Sequence, residues 1–396
     1  MHWLFFLLPF GHPTKKLVMI GVTGTKGKTT TTHMIRAVLQ AAGKKVGMIG
    51  TTGTVIGDVV TPTLNTTPES YELHQAFSQM VEAGCEYAVM EVSSQGIKMH
   101  RTDGLYFDYG IFTNISPDHI GPGEHADFEE YLYYKTRLLN MCRIGLVNKD
   151  DEHAEQIIKA ANCELYTYSE KGKEADFTAS DIRYVSQPDF VGTEFHISGK
   201  YDMEVRLGIP GLFNVVNALA AVSVCSFLNL DKERIRHALE HIRVNGRMEI
   251  VYTSARCTVL VDYAHNAVSM ASLLSTLRDY KPKRLVCVFG CGGNRSKDRR
   301  YSMGEIGGKM ADFCIITADN SRYEKVEDII ADIRGSIEKT GGKFIEIPDR
   351  REAIRYSILQ AQPGDMVAVI GKGHEDTRRS MGSVIISWTV KSLKKQ

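Results

Sequence analysis

A chain of 396 residues has room for two or three domains at roughly 100–200 residues each, every one with its own core. Its 48 Lys and Arg offset 47 Asp and Glu to a formal net charge of +1, so no global field draws it toward nucleic acid. Hydrophobic and charged fractions of 43% and 24% exclude a disordered or fibrous chain, and eight scattered cysteines without Cys-x-x-Cys spacing exclude a disulfide scaffold and point to a reduced, cytoplasmic protein.

In chain order, residues 1–10 are strongly apolar but fall short of the roughly 20 residues that span a bilayer. They lack a basic n-region and a small-residue cleavage site, which argues against a secretory signal. Residues 1–16 are therefore set apart as a short apolar lead. Residues 17–22 read as a buried strand and 29–42 as the helix after it; 45–49 and 87–92 are further strands, with a helix over 70–83 between them. Strands at 108–113 and 144–148 continue the alternation, which predicts βαβ units and a mostly parallel sheet. From 176 to 207 the runs turn shorter and more polar, as in antiparallel strands, and helices follow over 214–227 and 231–241. The stretch 243–249, with Asn245-Gly246, reads as a linker. Beyond it, strands at 258–262, 284–289, 313–317 and 366–370 alternate with helices. The predicted fold class is α/β: a P-loop ATP-binding domain over 17–243, then a Rossmann-like α/β domain over 244–396.

The sharpest motif runs Gly21-Val22-Thr23-Gly24-Thr25-Lys26-Gly27-Lys28-Thr29-Thr30. A phosphate loop reads Gly-x-x-x-x-Gly-Lys-Ser/Thr; here Val22 takes the first glycine's place, with Gly21 and Gly24 as the variant's glycines. A buried strand before and a helix after supply the context in which backbone N–H groups and the helix dipole hold an anion. Gly24, Thr25, Lys26, Gly27, Lys28, Thr29 and Thr30 are then the ATP-phosphate cradle, with Lys28 reaching the β/γ-phosphates and the Thr29 hydroxyl a ligand for Mg²⁺. Glu91 closes an apolar strand, the place for a Mg²⁺ ligand or water-positioning group beside such a loop; the alternative is a strand-end charge facing solvent. His119 follows another strand end and is an unusual ligand for a cation that prefers oxygen, so a plain loop histidine is equally open. Lys135, on a predicted helix with Leu132, Leu138 and Leu139, reads locally as a surface lysine laid along the helix.

With these residues in hand, the chain resembles the Mur ligases, and within them the MurE type, which joins an amino acid to UDP-N-acetylmuramoyl-L-alanyl-D-glutamate in peptidoglycan biosynthesis. The likeness spans about residues 16–377 and is carried by the loop at 21–30, Asn65-Thr66-Thr67-Pro68, Glu91-Val92-Ser93-Ser94 and Thr113-Asn114-Ile115-Ser116-Pro117-Asp118-His119. It continues through Phe213-Asn214-Val215-Val216-Asn217-Ala218, Gly246-Arg247-Met248-Glu249, Asp262-Tyr263-Ala264-His265 and Gly290-Cys291-Gly292-Gly293-Asn294-Arg295. Asp319-Asn320-Ser321-Arg322 and Gly371-Lys372-Gly373-His374-Glu375 complete it. The resemblance implies an ATP-dependent amide-forming ligase that works through an acyl phosphate. It implies that Glu91, His119 and a carbamylated Lys135 hold a second Mg²⁺. It further implies that Thr66, Thr67, Ser93 and Arg101 hold the muramoyl-dipeptide acceptor, and that Asn214, Arg247, Asp262 and His265 surround the adenosine. Arg295, Asn320, Arg322, Gly371 and Glu375 then match the site of the incoming amino acid. The retained Arg322 suits a second carboxylate and so favours diaminopimelate over lysine.

Three departures from the family pattern stand out. Lys26 takes the place of an asparagine and Gln95 that of a histidine. The phosphate loop begins at residue 21, whereas the family carries a UDP-gripping domain of about one hundred residues ahead of it, so a different acceptor is an expectation. The expected partners are small molecules, with no nucleic acid and no stable membrane insertion. The competing readings are a ligase for a non-UDP acceptor, like folylpolyglutamate or cyanophycin synthetases, and a catalytically silent protein that keeps the fold.

Overall fold

The computed structural model describes residues 10–373, 377–380 and 383–386. The chain divides into two compact units. The first takes the chain up to Ile182 together with Glu194–Leu207 and Phe213–Ile242. The second takes Arg183–Thr193, Gly208–Leu212 and the chain from Arg243 onward. A single cut near residue 243 therefore misses two short segments that leave the first unit early. Both belong to the second unit because Tyr280 draws them in: its hydroxyl accepts from the Gly211 N–H at 2.9 Å and shares a hydrogen bond with the Thr193 hydroxyl at 2.8 Å. Burial pushes the Tyr280 phenol up to about 12.

The first unit is built on an eleven-stranded sheet. In chain order its strands are β1 (Val18–Thr23), β2 (Val46–Gly50), β3 (Gly53–Ile56), β4 (Val59–Thr61), β5 (Tyr87–Glu91), β6 (Phe107–Phe112), β7 (Cys142–Asn148), β8 (Glu164–Ser169), β9 (Phe177–Ser186), β10 (Val191–Gly199) and β11 (Met203–Leu207). Their spatial order is β11-β10-β9-β8-β7-β6-β1-β5-β2-β3-β4. From β2 through β9 neighbouring strands run parallel, and β3 and β4 add an antiparallel hairpin edge that the apolar patterning did not reveal. The central strands are apolar along their length and not alternating, because a parallel sheet is covered on both faces. Helices α1 (Lys28–Ala41), α2 (Ser70–Glu82), α3 (Ser94–Lys98), α4 (Phe128–Thr136), α5 (Ala154–Ala160), α6 (Leu212–Ser226) and α7 (Lys232–Glu240) complete the unit. Leu73, Phe77 and Met80 on α2 pack with Phe107, Phe112 and Leu138 in its core.

Strand β1 lies between β5 and β6, in parallel register that pairs Val22 with Glu91 and Thr23 with Phe112. Three strand ends therefore open at one edge of the sheet, where α/β folds bind their ligands.

The second unit repeats the logic with β12 (Glu249–Thr253), β13 (Cys257–Asp262), α8 (Ala267–Asp279), β14 (Arg284–Phe289), α9 (Asp298–Met310), β15 (Phe313–Ile316), α10 (Val326–Glu338), β16 (Phe344–Glu346), α11 (Arg350–Leu359) and β17 (Asp365–Ile370). The sheet order is β12-β13-β17-β14-β15-β16, parallel apart from edge strand β12. Val259, Val288 and Val367 sit in its core. Pairing of Asp262 with Ile370 and of Phe289 with Ile316 aligns the loops that follow those strands. An α/β architecture with a large, mostly parallel sheet and a second sheet domain is thus what the chain forms. Among the described residues no helix is long and apolar enough to cross a membrane.

Tyr280→Phe removes the hydroxyl and leaves the Gly211 N–H buried without its acceptor, at a cost of about 1–3 kcal/mol. Urea unfolding of the full chain should show that loss; an unchanged midpoint would mean the hydroxyl does not hold the two segments.

Candidate active site

The loop between β1 and α1 is wound tightly enough that its own carbonyls face inward. Lys28 Nζ donates to the carbonyls of Gly24 at 2.7 Å and Thr25 at 3.2 Å, and Lys135 Nζ donates to the same Gly24 oxygen at 2.8 Å. Gly24 has φ +144°, and a Cβ there would lie 1.9 Å from the Thr113 hydroxyl, so no other residue fits. That hydroxyl donates to the Lys26 carbonyl at 2.7 Å. Asn114, just beyond β6, accepts from the Lys26 N–H at 2.9 Å and returns a bond to the Lys26 carbonyl at 3.1 Å. Lys26 itself is exposed and pairs with Asp118 at 3.6 Å.

Glu91 is 1% exposed, so it is not a solvent-facing strand end. Its Oε1 accepts from the Thr29 hydroxyl at 3.0 Å and from the Thr51 N–H at 2.9 Å, and its Oε2 accepts from the Thr51 hydroxyl at 3.3 Å. Thr51 follows β2, the parallel neighbour of β5, which is why it reaches Glu91. Sequence reasoning passed over Thr51, although its place after a strand beside the Glu91 strand was a usable signal.

Lys135 overturns its local reading as a surface lysine. It is 2% exposed, on α4, with its ammonium 4.6 Å from the centre of the Tyr131 ring. Burial, and next the like charge of Lys28, hold its amine well below the ordinary lysine range, against the opposing pull of Asp118. Tyr131, also unforeseen, shares a 3.0 Å hydrogen bond with the Thr25 hydroxyl, and burial pushes its phenol up to about 12. His119 adopts a left-handed backbone, φ 54°, and its exposed ring pairs with Glu124 at 3.1 Å. Among the described residues no three His, Cys, Asp or Glu side chains gather as a metal cluster. Mg²⁺ does not require one, since it uses one or two protein oxygens plus substrate phosphates and waters. The Thr29 hydroxyl and the buried Glu91 carboxylate are such a pair. A protonated Lys135, donating to the Gly24 carbonyl, cannot join them as a ligand.

The residues expected at the acceptor cluster in the same unit. Thr67 is buried; its hydroxyl donates to the Glu91 carbonyl at 3.0 Å and accepts from the Ser93 N–H at 2.9 Å. Ser93 caps α3 by accepting from the Gly96 N–H at 3.0 Å. The Thr66 hydroxyl shares a 3.1 Å bond with Thr51. Arg101 pairs with Glu69 at 2.8 Å and donates to the Thr67 carbonyl at 3.3 Å. Thr30 is buried on the first turn of α1, and Asn214 is buried on α6, where its Oδ1 accepts from Asn217 Nδ2 at 3.1 Å.

In the second unit Asp262 accepts from the N–H groups of Met248 and Ala264, each at 2.8 Å, while burial raises its carboxyl. The Arg247 guanidinium lies 5.3 Å from the centre of the Tyr263 ring, and His265 Nδ1 pairs with the Tyr263 carbonyl at 3.0 Å. The loop after β14, which carries Arg295, meets the loop after β15: Gly293 N–H donates to the Asn320 carbonyl at 2.9 Å, and Arg322, left-handed at φ 53°, donates to the Gly293 carbonyl at 2.7 Å. Arg300 is buried beneath them and donates to Glu324 at 2.7 Å and Asp332 at 2.8 Å. Asn320 Oδ1 accepts from Lys372 Nζ, and Gly371, just after β17, lies beside Asp319. Glu375 lies outside the described residues.

Residues 22–225 match the Mur ligase middle domain, and residues 246–373 match the Mur ligase glutamate ligase domain. The chain is 41% identical over 393 residues to a UDP-N-acetylmuramoyl-L-alanyl-D-glutamate–2,6-diaminopimelate ligase of Caldanaerobacter subterraneus, covering 98% of this chain and 79% of that protein. A solved structure of a ligase of the same name superposes with a TM-score of 0.75 at 32% identity, covering 96% of this chain and 78% of that one. A folylpolyglutamate synthase from Thermotoga maritima superposes with a TM-score of 0.71 at 18% identity, over 93% and 89% of the two chains, which is a likeness of fold alone.

Gly24→Ala should weaken binding of a fluorescent ATP analogue at least tenfold, since its Cβ collides with Thr113; equal affinity would show that the loop binds in another conformation. The lowered Lys135 pKa has a second consequence. The folded chain sheds that proton at a lower pH than the unfolded chain does, so stability rises with pH between the lowered value and the ordinary 10.5. Urea midpoints across that window should rise less steeply in Lys135→Met.

Proposed function

This chain belongs to the Mur ligase family, and from that premise we propose that it adds 2,6-diaminopimelate to a UDP-N-acetylmuramoyl-L-alanyl-D-glutamate-like acceptor. It is an ATP-dependent ligase that forms an amide bond. The observation that carries the site reading is the convergence of Lys28 and Lys135 on the Gly24 carbonyl, on the same loop as the Thr29–Glu91 pair.

The chemistry follows from charge. A carboxylate must attack the γ-phosphorus of an anionic triphosphate, and the two repel. The loop N–H groups that Asn114 does not engage, the α1 N-terminus and the Lys28 ammonium offset the phosphate charge as the acceptor's carboxylate oxygen forms its bond and ADP departs. The acyl phosphate then meets the amino group of the incoming amino acid. Nitrogen bonds to the carbonyl carbon, phosphate leaves and the amine gives up its proton. Thr29 and Glu91 would hold Mg²⁺, which supplies further neutralisation of the phosphates when bound. Glu91 is kept oriented for that by Thr51.

Lys135 acts here as a carbamate. Its amine is buried and its pKa lowered, so a neutral nucleophilic form is accessible for reaction with carbon dioxide. Attack on carbon dioxide forms the N–C bond and releases one amine proton; the resulting anion, with Glu91 and His119, would hold a second Mg²⁺. Thr66, Thr67, Ser93 and Arg101 hold the acceptor. All eight cysteines are free thiols, which suits the reducing cytoplasm.

Phosphate release should require ATP, an acceptor and an amino acid together, with product masses read across UDP-linked, UDP-free and folate-type acceptors. Release with a folate-type acceptor alone would sink the muramoyl reading. Lys28→Ala and Lys135→Ala should each lower kcat at least a thousandfold, and a short-chain carboxylic acid should restore part of the rate to Lys135→Ala only. Full activity of Lys135→Ala without additive would remove the carbamate.

A further inference from the structure

Within residues 116–127, the loop that carries His119, His125 alone is buried, at 0% exposure. Sequence reasoning passed over it. Its backbone closes a turn on His119: the His125 N–H donates to the His119 carbonyl and the Gly121 N–H to the His125 carbonyl, each at 3.0 Å. Whatever fixes the His125 ring therefore fixes His119 as well. The ring lies between two helices of the first unit. Its centre stands 5.2 Å from that of Tyr131 and 5.7 Å from that of Tyr134 on α4, and its Nε2 shares a 3.0 Å hydrogen bond with the Ser94 hydroxyl on α3. Two further bonds run from the same helix to the same loop. Gln95, one of the departures from the family pattern, donates from Nε2 to the Gly123 carbonyl at 3.4 Å, and Lys98 Nζ donates to the Glu124 carbonyl at 2.8 Å.

Helix α3 is also the support of the acceptor residues. Ser93 caps it, the Thr67 hydroxyl holds the Ser93 N–H, and the Arg101 N–H donates to the Gly96 carbonyl at 2.9 Å. Burial, and next the charge of Lys98, hold the His125 imidazole below the ordinary histidine range against the pull of Glu130, so the ring carries a single N–H. The Glu130 carboxylate lies 3.7 Å from Nδ1. An N–H facing a carboxylate is favoured over a lone pair facing it, so the proton sits on Nδ1, and Nε2 accepts from the Ser94 hydroxyl. We propose that His125 is a positioning residue for the ligase reaction: through its bond with Ser94 it couples the acceptor site on α3 to the placement of His119. This rests on the reading of Ser93 and Arg101 as acceptor residues and of His119 as a residue of the reaction centre. An acceptor that orders α3 then orders the His119 loop, and by reciprocity a fixed loop tightens acceptor binding.

The test uses the full chain, with UDP-N-acetylmuramoyl-L-alanyl-D-glutamate as the acceptor. Wild-type ADP release that depends on this acceptor is measured first and tests the ligase reading by itself. Amide hydrogen exchange then tests the coupling. In the wild type, saturating acceptor should slow exchange across residues 118–125 at least threefold. His125→Leu keeps an apolar group against both tyrosines but cannot accept from Ser94, and there the acceptor should leave the loop's exchange unchanged. Its KM for the acceptor should rise about fivefold or more, the worth of one buried hydrogen bond, while KM for ATP stays within twofold. Ser94→Ala should match it, and the double variant should add less than twofold to either. His125→Gln, whose carbonyl can accept from Ser94, should recover much of the loss. Acceptor protection of the loop that is missing in the wild type or persists in His125→Leu would overturn the proposal. So would an unmoved acceptor KM with a fall in kcat alone, because a merely structural histidine predicts that pattern. If His125→Leu does not fold, Ser94→Ala decides: a wild-type acceptor KM and wild-type loop protection in that variant would overturn the proposal equally.

Discussion

Residue 24 has to be a side-chain-free position, and much of the first unit depends on that. Only there can the Thr113 hydroxyl come close enough to occupy the space of a Cβ. That approach seals the loop onto the strand β6 side, and it leaves the Gly24 carbonyl pointing inward as the acceptor for two lysines. Placing two ammonium groups on one oxygen costs electrostatic energy. The structure offsets it by burying one of them so deeply that its proton is weakly held. A single steric vacancy is thereby converted into an electrostatic condition, a compact anion cradle with a lysine made chemically available.

Buried or half-buried charge recurs at several candidate site residues, and each of those named below is hydrogen-bonded. Glu91 takes three donors from Thr29 and Thr51, and Asp262 takes two backbone N–H groups. Lys372 lies between Asp319 and Asn320, and Arg300 grips Glu324 and Asp332. Replacing such groups with apolar residues of like size often stabilises a protein. Glu91, Asp262, Asp319 and Lys372 lie at or just after strand ends and not in the packed cores, which marks where stability has been spent on function.

Parallel sheets explain why two units can be organised so similarly around different chemistries. In each, register aligns the loops after neighbouring strands: the loops after β1, β5 and β6 in the first unit, and those after β13, β14, β15 and β17 in the second. Side chains from distant stretches of chain then act on one another, as Thr51 does on Glu91 and Lys372 on Asn320.

The phosphate loop, the α/β class and most central strands were legible in the sequence, because each is a local pattern: a glycine spacing, an apolar run, a period. Lys28, Thr29 and Glu91 were legible for the same reason, as residues at the ends of readable strands. The edge hairpin β3–β4 was not, since its strands are only four and three residues long and owe their form to the neighbour they pair with. Nor was the burial of Lys135: helical spacing laid it on the surface, and the family resemblance alone pointed to it. The direction of the His119 ring toward Glu124, the grip of Thr51 on Glu91 and the bond from Lys372 to Asn320 depend on atoms 5 to 52 residues apart in the chain. A sequence states which donors and acceptors exist. Which of them meet is decided only when strand register brings the loops together, because hydrogen bonding acts over about 3 Å and sequence spacing does not measure that distance.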